Sequence, residues 1–224
     1  MKSWAKYLVI FIVLLLGLYM LKPDIFTFAQ NGLGVGVIIN YADGSSATYE
    51  ASNDIFHRLL NAKSIIDVQT GKVIQSIGFY VYVIATWEGE ASHLDCEVDW
   101  AILGYSSEFA GQIVNEWRTI KSGTEDITID LSKKQSGSKM RLFSKTITAT
   151  ELENWCQQNG IDKGEEFVLG FKIAKTSKFT MYFYGGNQQT LSLDKDVWAT
   201  LRLLRDDPGK FTGIKVELSY NVFS

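Results

Sequence analysis

Short runs in which apolar and polar residues alternate recur from residue 35 to residue 222, and this period of two constrains the fold more than any other feature. An extended backbone sends successive side chains to opposite faces, so such runs half-bury as strands and cannot present one apolar stripe as helices. Val35 to Tyr41, Asp43-Gly44 and Ala47 to Tyr49 predict a hairpin, because Asp-Gly adopts the positive φ angles of a tight turn. Val73 to Trp87 contains the β-branched and aromatic stretch Gly78-Phe79-Tyr80-Val81-Tyr82-Val83-Ile84, which reads as a long central strand. It is expected to pair with Ile65–Val68 across the turn Thr70-Gly71.

Further strands are expected at Leu94–Tyr105, Gln112–Ile120, Ile127–Leu131, Met140–Thr148, Phe167–Ala174, Phe179–Tyr184, Thr190–Leu193, Val197–Leu204 and Phe211–Val222. Ser132 to Lys139 is polar and reads as a mobile loop. Two helices break the pattern. Ser52 or Asn53 can cap a short one carrying Ile55, Phe56, Leu59 and Leu60 on one face. Thr150-Glu151-Leu152-Glu153 reads as a capping box opening a second, which ends near Asn159-Gly160. The two prolines interrupt no strand, and strands do not alternate with helices. The expected fold is therefore mainly β, an antiparallel β-sandwich of jelly-roll-like form with one or two short helices.

Ahead of this domain, Tyr7 to Leu21 is an unbroken run of apolar or aromatic residues between Lys6 and Lys22. As a helix it rises about 22 Å, short of the roughly 30 Å hydrocarbon core. A cleaved signal peptide would use Thr27-Phe28-Ala29 before Gln30. A retained signal anchor would place Trp4, Tyr7 and Tyr19 at the interfaces, with Lys6 and Lys22 snorkelling outward. The length of the run, and Lys22, Pro23 and Asp24 between it and Ala29, favour the anchor. The expected organisation is a transmembrane signal anchor over residues 1–29, touching the membrane through residues 4–21, and one extracytoplasmic domain over residues 30–224. Lys2 and Lys6 precede the run, so the N-terminus is expected in the cytoplasm and the domain outside; a secreted protein is the alternative.

Residues 23–224 carry 19 basic side chains against 25 acidic ones, without the electrostatic footprint of a nucleic-acid binder. Nucleic acid is therefore not an expected partner. Outside the cytoplasm Cys96 and Cys156 read as a disulfide, closing a loop of about 60 residues for roughly 4 kcal/mol in the chain-entropy account. Two buried free thiols are the alternative. No Cys-x-x-Cys pair supports a zinc site, and none of the nine asparagines starts an Asn-x-Ser/Thr acceptor.

Catalytic patterns are missing. Gly104-Tyr105-Ser106-Ser107-Glu108 lacks the last glycine of a nucleophile elbow. Ser136-Gly137-Ser138-Lys139 matches Ser-x-x-Lys but sits in a polar loop rather than opening a buried helix. His57 reads as a helix-surface residue. Around His93, Asp95, Glu97 and Asp99 share one strand face opposite Leu94, Cys96, Val98 and Trp100. They are candidate calcium ligands, although same-face neighbours about 7 Å apart need a bend to share an ion. The competing reading is the solvated face of an outer strand.

Trp87, Trp100, Trp117, Trp155 and Trp198 could supply a platform for stacking sugars, with core packing as the default. Tyr182 and Tyr184, followed by Gly185-Gly186-Asn187, are the candidate glycan contacts. The resulting expectation is a tethered, non-enzymatic sandwich with no cofactor, working through protein partners or self-assembly at a cell envelope or surface assembly. A carbohydrate-binding module is the alternative, and an enzyme with a dispersed acidic site is the third.

Overall fold

The computed structural model describes residues 31–51, 64–68, 71–106, 108–109, 112–113 and 116–223. The run Tyr7–Leu21 and the helix expected over Ile55–Leu60 lie outside the described residues. Among the described residues no helix is long and apolar enough to cross a membrane. The fold is mainly β and antiparallel, built as two curled sheets that face each other across one core.

Sheet A contains β1 (Gly32–Tyr41), β2 (Ser46–Glu50), β4 (Ile74–Ile84), β9 (Lys139–Thr148) and β15 (Tyr220–Val222). β1 pairs with β4 along its whole length. Its other edge is shared by β15 at Gly32–Gly34 and by β2 at Gly36–Asn40. Sheet B contains β3 (Ser64–Asp67), β5 (Ala91–Tyr105), β8 (Arg118–Asp130), β10 (Glu166–Ile173), β11 (Lys178–Phe183), β12 (Gln188–Leu191), β13 (Val197–Asp207) and β14 (Lys210–Leu218). β5 is its hub, with β8 on one edge and β11 followed by β10 on the other. A two-residue hairpin, β6 (Glu108–Phe109) with β7 (Gln112–Ile113), links β5 to β8.

Alternation builds the core as expected. Leu33, Val35, Val37 and Ile39 of β1 point inward, as do Leu94, Cys96 and Val98 of β5. Phe79 of β4 stacks on Phe171 of β10 at 5.0 Å between ring centroids, joining the sheets at mid-core. The outer face of sheet A carries a second layer. Gly34 and Gly36 leave no side chain there, and Tyr82 and Tyr80 lie over them. A Cβ at Gly36 would stand 2.1 Å from the Tyr80 ring, so only glycine permits this approach.

Three expectations need correction. β3 pairs with β14, not β4: Val68 N–H donates to the Ile214 carbonyl, and Val73 bridges Thr212, so the link between Asp67 and Ile74 crosses between sheets. The strands expected at Gln112–Ile120 and Ile127–Leu131 are largely one strand, β8, because β5 pairs with it from Gly104 back to His93 across the polar Lys121–Thr124 stretch. The segment Phe211–Val222 is two strands in different sheets. Ser219 makes the corner, its hydroxyl donating to the Trp198 carbonyl at 2.8 Å and accepting the Trp198 N–H at 2.7 Å.

The helix α1 (Ala149–Gln158) is capped two residues before the expected Thr150. Thr148 is its cap, accepting the Glu151 N–H while the Glu151 carboxylate accepts the Thr148 N–H, and Asn159 ends it. Trp155 of α1 enters the end of the sandwich over Gly104, where a Cβ would stand 2.2 Å from the indole. Arg205 and Glu153, both nearly buried, tie α1 to the β13–β14 hairpin through a two-pronged ion pair at 2.5 and 3.1 Å.

Candidate functional site

The outer face of sheet B carries an aromatic row. In β13, Val197, Ala199, Leu201 and Leu203 are wholly buried, which turns Trp198, Thr200 and Arg202 outward. In β10, Phe167, Leu169, Phe171 and Ile173 point inward, so Val168, Gly170 and Lys172 face out. The register sets Lys172 beside Trp198, Gly170 beside Thr200 and Val168 between Tyr105 and Arg202. Trp117, immediately before β8, brings the benzo edge of its ring to Gly170 of β10.

Gly170 makes that possible. A Cβ there would stand 2.7 Å from the Trp117 ring and 3.2 Å from the Trp198 ring. Tyr105 and Trp117 have ring centroids 5.3 Å apart and planes inclined by 42°, and Trp117 and Trp198 follow at 5.2 Å and 39°. Trp117 stays 39 % exposed, whereas Tyr105 and Trp198 are half-buried.

Charged side chains rim the row in pairs. The Lys172 ammonium stands 5.7 Å from the centre of the Trp198 ring and 3.5 Å from Asp196, and Arg202 pairs with Glu166 at 3.6 Å. At the Tyr105 end, a groove of about 260 Å³ is lined by Tyr105, Ser106, Glu166, Phe167, Val168 and Arg202. Its lining holds neither histidine nor cysteine. The arrangement sets packed aromatic rings among hydrogen-bonding groups, which suits binding.

The sequence-derived candidates lie elsewhere. Asp95, Glu97 and Asp99 do share the outer face of β5, but each is engaged by a different donor. Asp95 accepts from the Thr128 hydroxyl at 2.6 Å, and Glu97 takes the Lys178 ammonium at 3.0 and 3.2 Å. Asp99 accepts from Thr124 at 2.7 Å and Thr176 at 3.0 Å, and these bonds hold its carboxyl below the usual range. Among the described residues, no group of three or more His, Cys, Asp or Glu side chains could hold a metal ion.

Tyr182 stacks on His93 at 4.5 Å and 12°. A register shift after Tyr182 then turns the strand, leaving Tyr184 60 % exposed. The Asn187 carbonyl accepts the Phe183 N–H, so its backbone closes the β11–β12 turn over Gly185 and Gly186, both at positive φ. This hairpin pairs with the start of β5, whereas Tyr105 ends that strand, about 40 Å along it. Tyr182, Tyr184 and Asn187 therefore do not join the tryptophan row.

Cys96 and Cys156 are free, buried thiols, a correction to the expected disulfide. Trp155 packs on Gly104, eight residues beyond Cys96 on β5 or about 26 Å along the strand, so neighbouring Cys156 is out of bonding range. Burial pushes both thiols up to about 12. The Ser136 hydroxyl is pinned to the Trp87 backbone, donating at 3.0 Å and accepting at 2.8 Å.

Sequence reasoning raised Trp117 and Trp198 but assigned tryptophans by default to the core. The signal that finds them is the phase of β13, where four small or aliphatic residues claim the inner face and leave Trp198 outside. Comparison with protein-family models, with curated proteins and with solved structures finds no match to this chain.

Proposed function

We propose that the chain is a tethered, non-enzymatic binding domain of a cell envelope or surface assembly. In this reading Tyr7–Leu21 anchors it, residues 30–224 stand outside the membrane as a jelly-roll-like sandwich, and the partner is held at Tyr105, Trp117 and Trp198. The observation that carries the reading is Trp117. An indole this exposed, lying over Gly170 in line with two more rings, is a large rigid contact surface already ordered before binding.

The test uses the full chain in detergent micelles, mixed with envelope fragments from cells lacking it and sedimented. Trp117→Ala and Trp198→Ala are each expected to lower retention roughly fivefold or more, as loss of a central aromatic anchor does. Tyr184→Ala, on the remote hairpin, is expected to leave retention unchanged. Equal retention of all variants, or no retention of the parent chain, refutes the reading.

A further inference from the structure

Resting on that reading of the same face, we propose that the Tyr105–Trp117–Trp198 row takes a neutral oligosaccharide whose successive rings turn relative to one another. At centroid spacings of 5.3 and 5.2 Å the three rings pack on one another into one stepped aromatic ridge, with Trp117 at its exposed middle. The π face of each ring attracts the polarised C–H bonds of a sugar's apolar side. Because successive planes are inclined by 42° and 39°, a flat ribbon meets this ridge at one ring, whereas a turning chain can follow its steps.

The rim points to the same ligand. Lys172 with Asp196, and Arg202 with Glu166, are paired within the rim, so these four side chains leave no net charge beside the rings. Each pair still presents a donor and an acceptor side by side, which suits hydroxyl groups. The groove of about 260 Å³ beside Tyr105 gives one terminal unit a place with Glu166 and Arg202 at hand.

The test titrates the full chain, in a zwitterionic detergent without a sugar headgroup, with maltohexaose, laminarihexaose and cellohexaose, following tryptophan fluorescence. A saturable change is expected with maltohexaose or laminarihexaose, with cellohexaose about fivefold weaker or more. Trp117→Ala is expected to weaken binding about tenfold or more. Gly170→Ala keeps every ring but fills the hollow under Trp117; it is expected to weaken binding while leaving the thermal transition in place. Equal binding of cellohexaose overturns the turning-chain assignment, and unchanged affinity in both variants overturns the site. Should no sugar bind while retention on envelope fragments still depends on Trp117 and is lost after protease digestion of the fragments, the ligand is a protein. That outcome overturns this inference and leaves the tethered-binding reading standing. Loss of both retention and sugar binding overturns the two together.

Discussion

Replacing Glu153 with alanine should loosen the joint between α1 and the sandwich, and the structure sets the size of the effect. The side chains of Arg205 and Glu153 are 9 % and 12 % exposed, and two nitrogens of the guanidinium donate to the carboxylate. Glu153 also accepts the Gly209 N–H at 2.8 Å and the Gln157 amide at 2.7 Å. Without the carboxylate, Arg205 keeps its bond to the Ile161 carbonyl but is left as a buried cation. Removing one partner of a buried pair costs about 3–5 kcal/mol, and in a domain of this size each kcal/mol moves Tm by about 2–4 °C, so a fall of roughly 10 °C is expected.

Circular dichroism of thermal and urea unfolding at pH 7 measures this, within a cycle of Glu153→Ala, Arg205→Ala and the double variant. The double variant should lose less than the sum of the singles, since removing both charges removes the unpaired one. The pH dependence has a defined sign. Arg205 holds the Glu153 carboxyl below its ordinary range. A depressed folded value gives stability that is present above the unfolded value of about 4.3 and is lost as pH falls through the folded one. Glu153→Gln should therefore flatten the acid limb of the stability curve. A cost below about 1 kcal/mol for Glu153→Ala, or strict additivity in the cycle, refutes the reasoning.

Three further outcomes are expected. Cys96 and Cys156, buried and pushed up to about 12, should resist a maleimide in the folded protein and both react after denaturation; protection of either after denaturation without reductant would reveal a disulfide. Gly36→Ala should cost about 1–3 kcal/mol, because the Tyr80 ring it meets is fixed by its hydroxyl donating to Glu50, and an unchanged urea midpoint would contradict that. Intact mass of the chain extracted from membranes should include residues 1–29 and stay constant on reduction, whereas a mass beginning at Gln30 would refute the anchor.

The two faces of each strand were legible because burial on one side imposes a period of two. β1 with β2, β4, β9, β10 and β13 appear within a few residues of their expected places. Long-range pairing was not. Phe211–Val222 reads as one strand because nothing local marks a change of sheet at Ser219; the corner exists only through Trp198, whose backbone it bonds. β8 looked like two strands because Lys121–Thr124 is polar, yet an outer strand can be polar where β5 supplies the pairing. The helix cap was displaced because Thr148 and Thr150 both precede acids three residues on, and the end of β9 decides which is used. The thiol pairing failed for a simpler reason. Spacing along the chain carries no distance, and the expectation of a bond came from compartment alone. For the candidate site, the alternation Val197–Leu203 already turned Trp198 outward, but the partnership with Trp117 depends on Gly170, two strands away from Trp117 in sheet B.

Oxidative footprinting of living cells, compared with the purified full chain, tests the central claim most directly by asking which face is occupied where the protein works. The account predicts that Trp117 and Trp198 are protected in cells, while Tyr184 on the far hairpin is oxidised equally in both. Equal oxidation of Trp117 and Trp198 in cells and in the purified chain would contradict it.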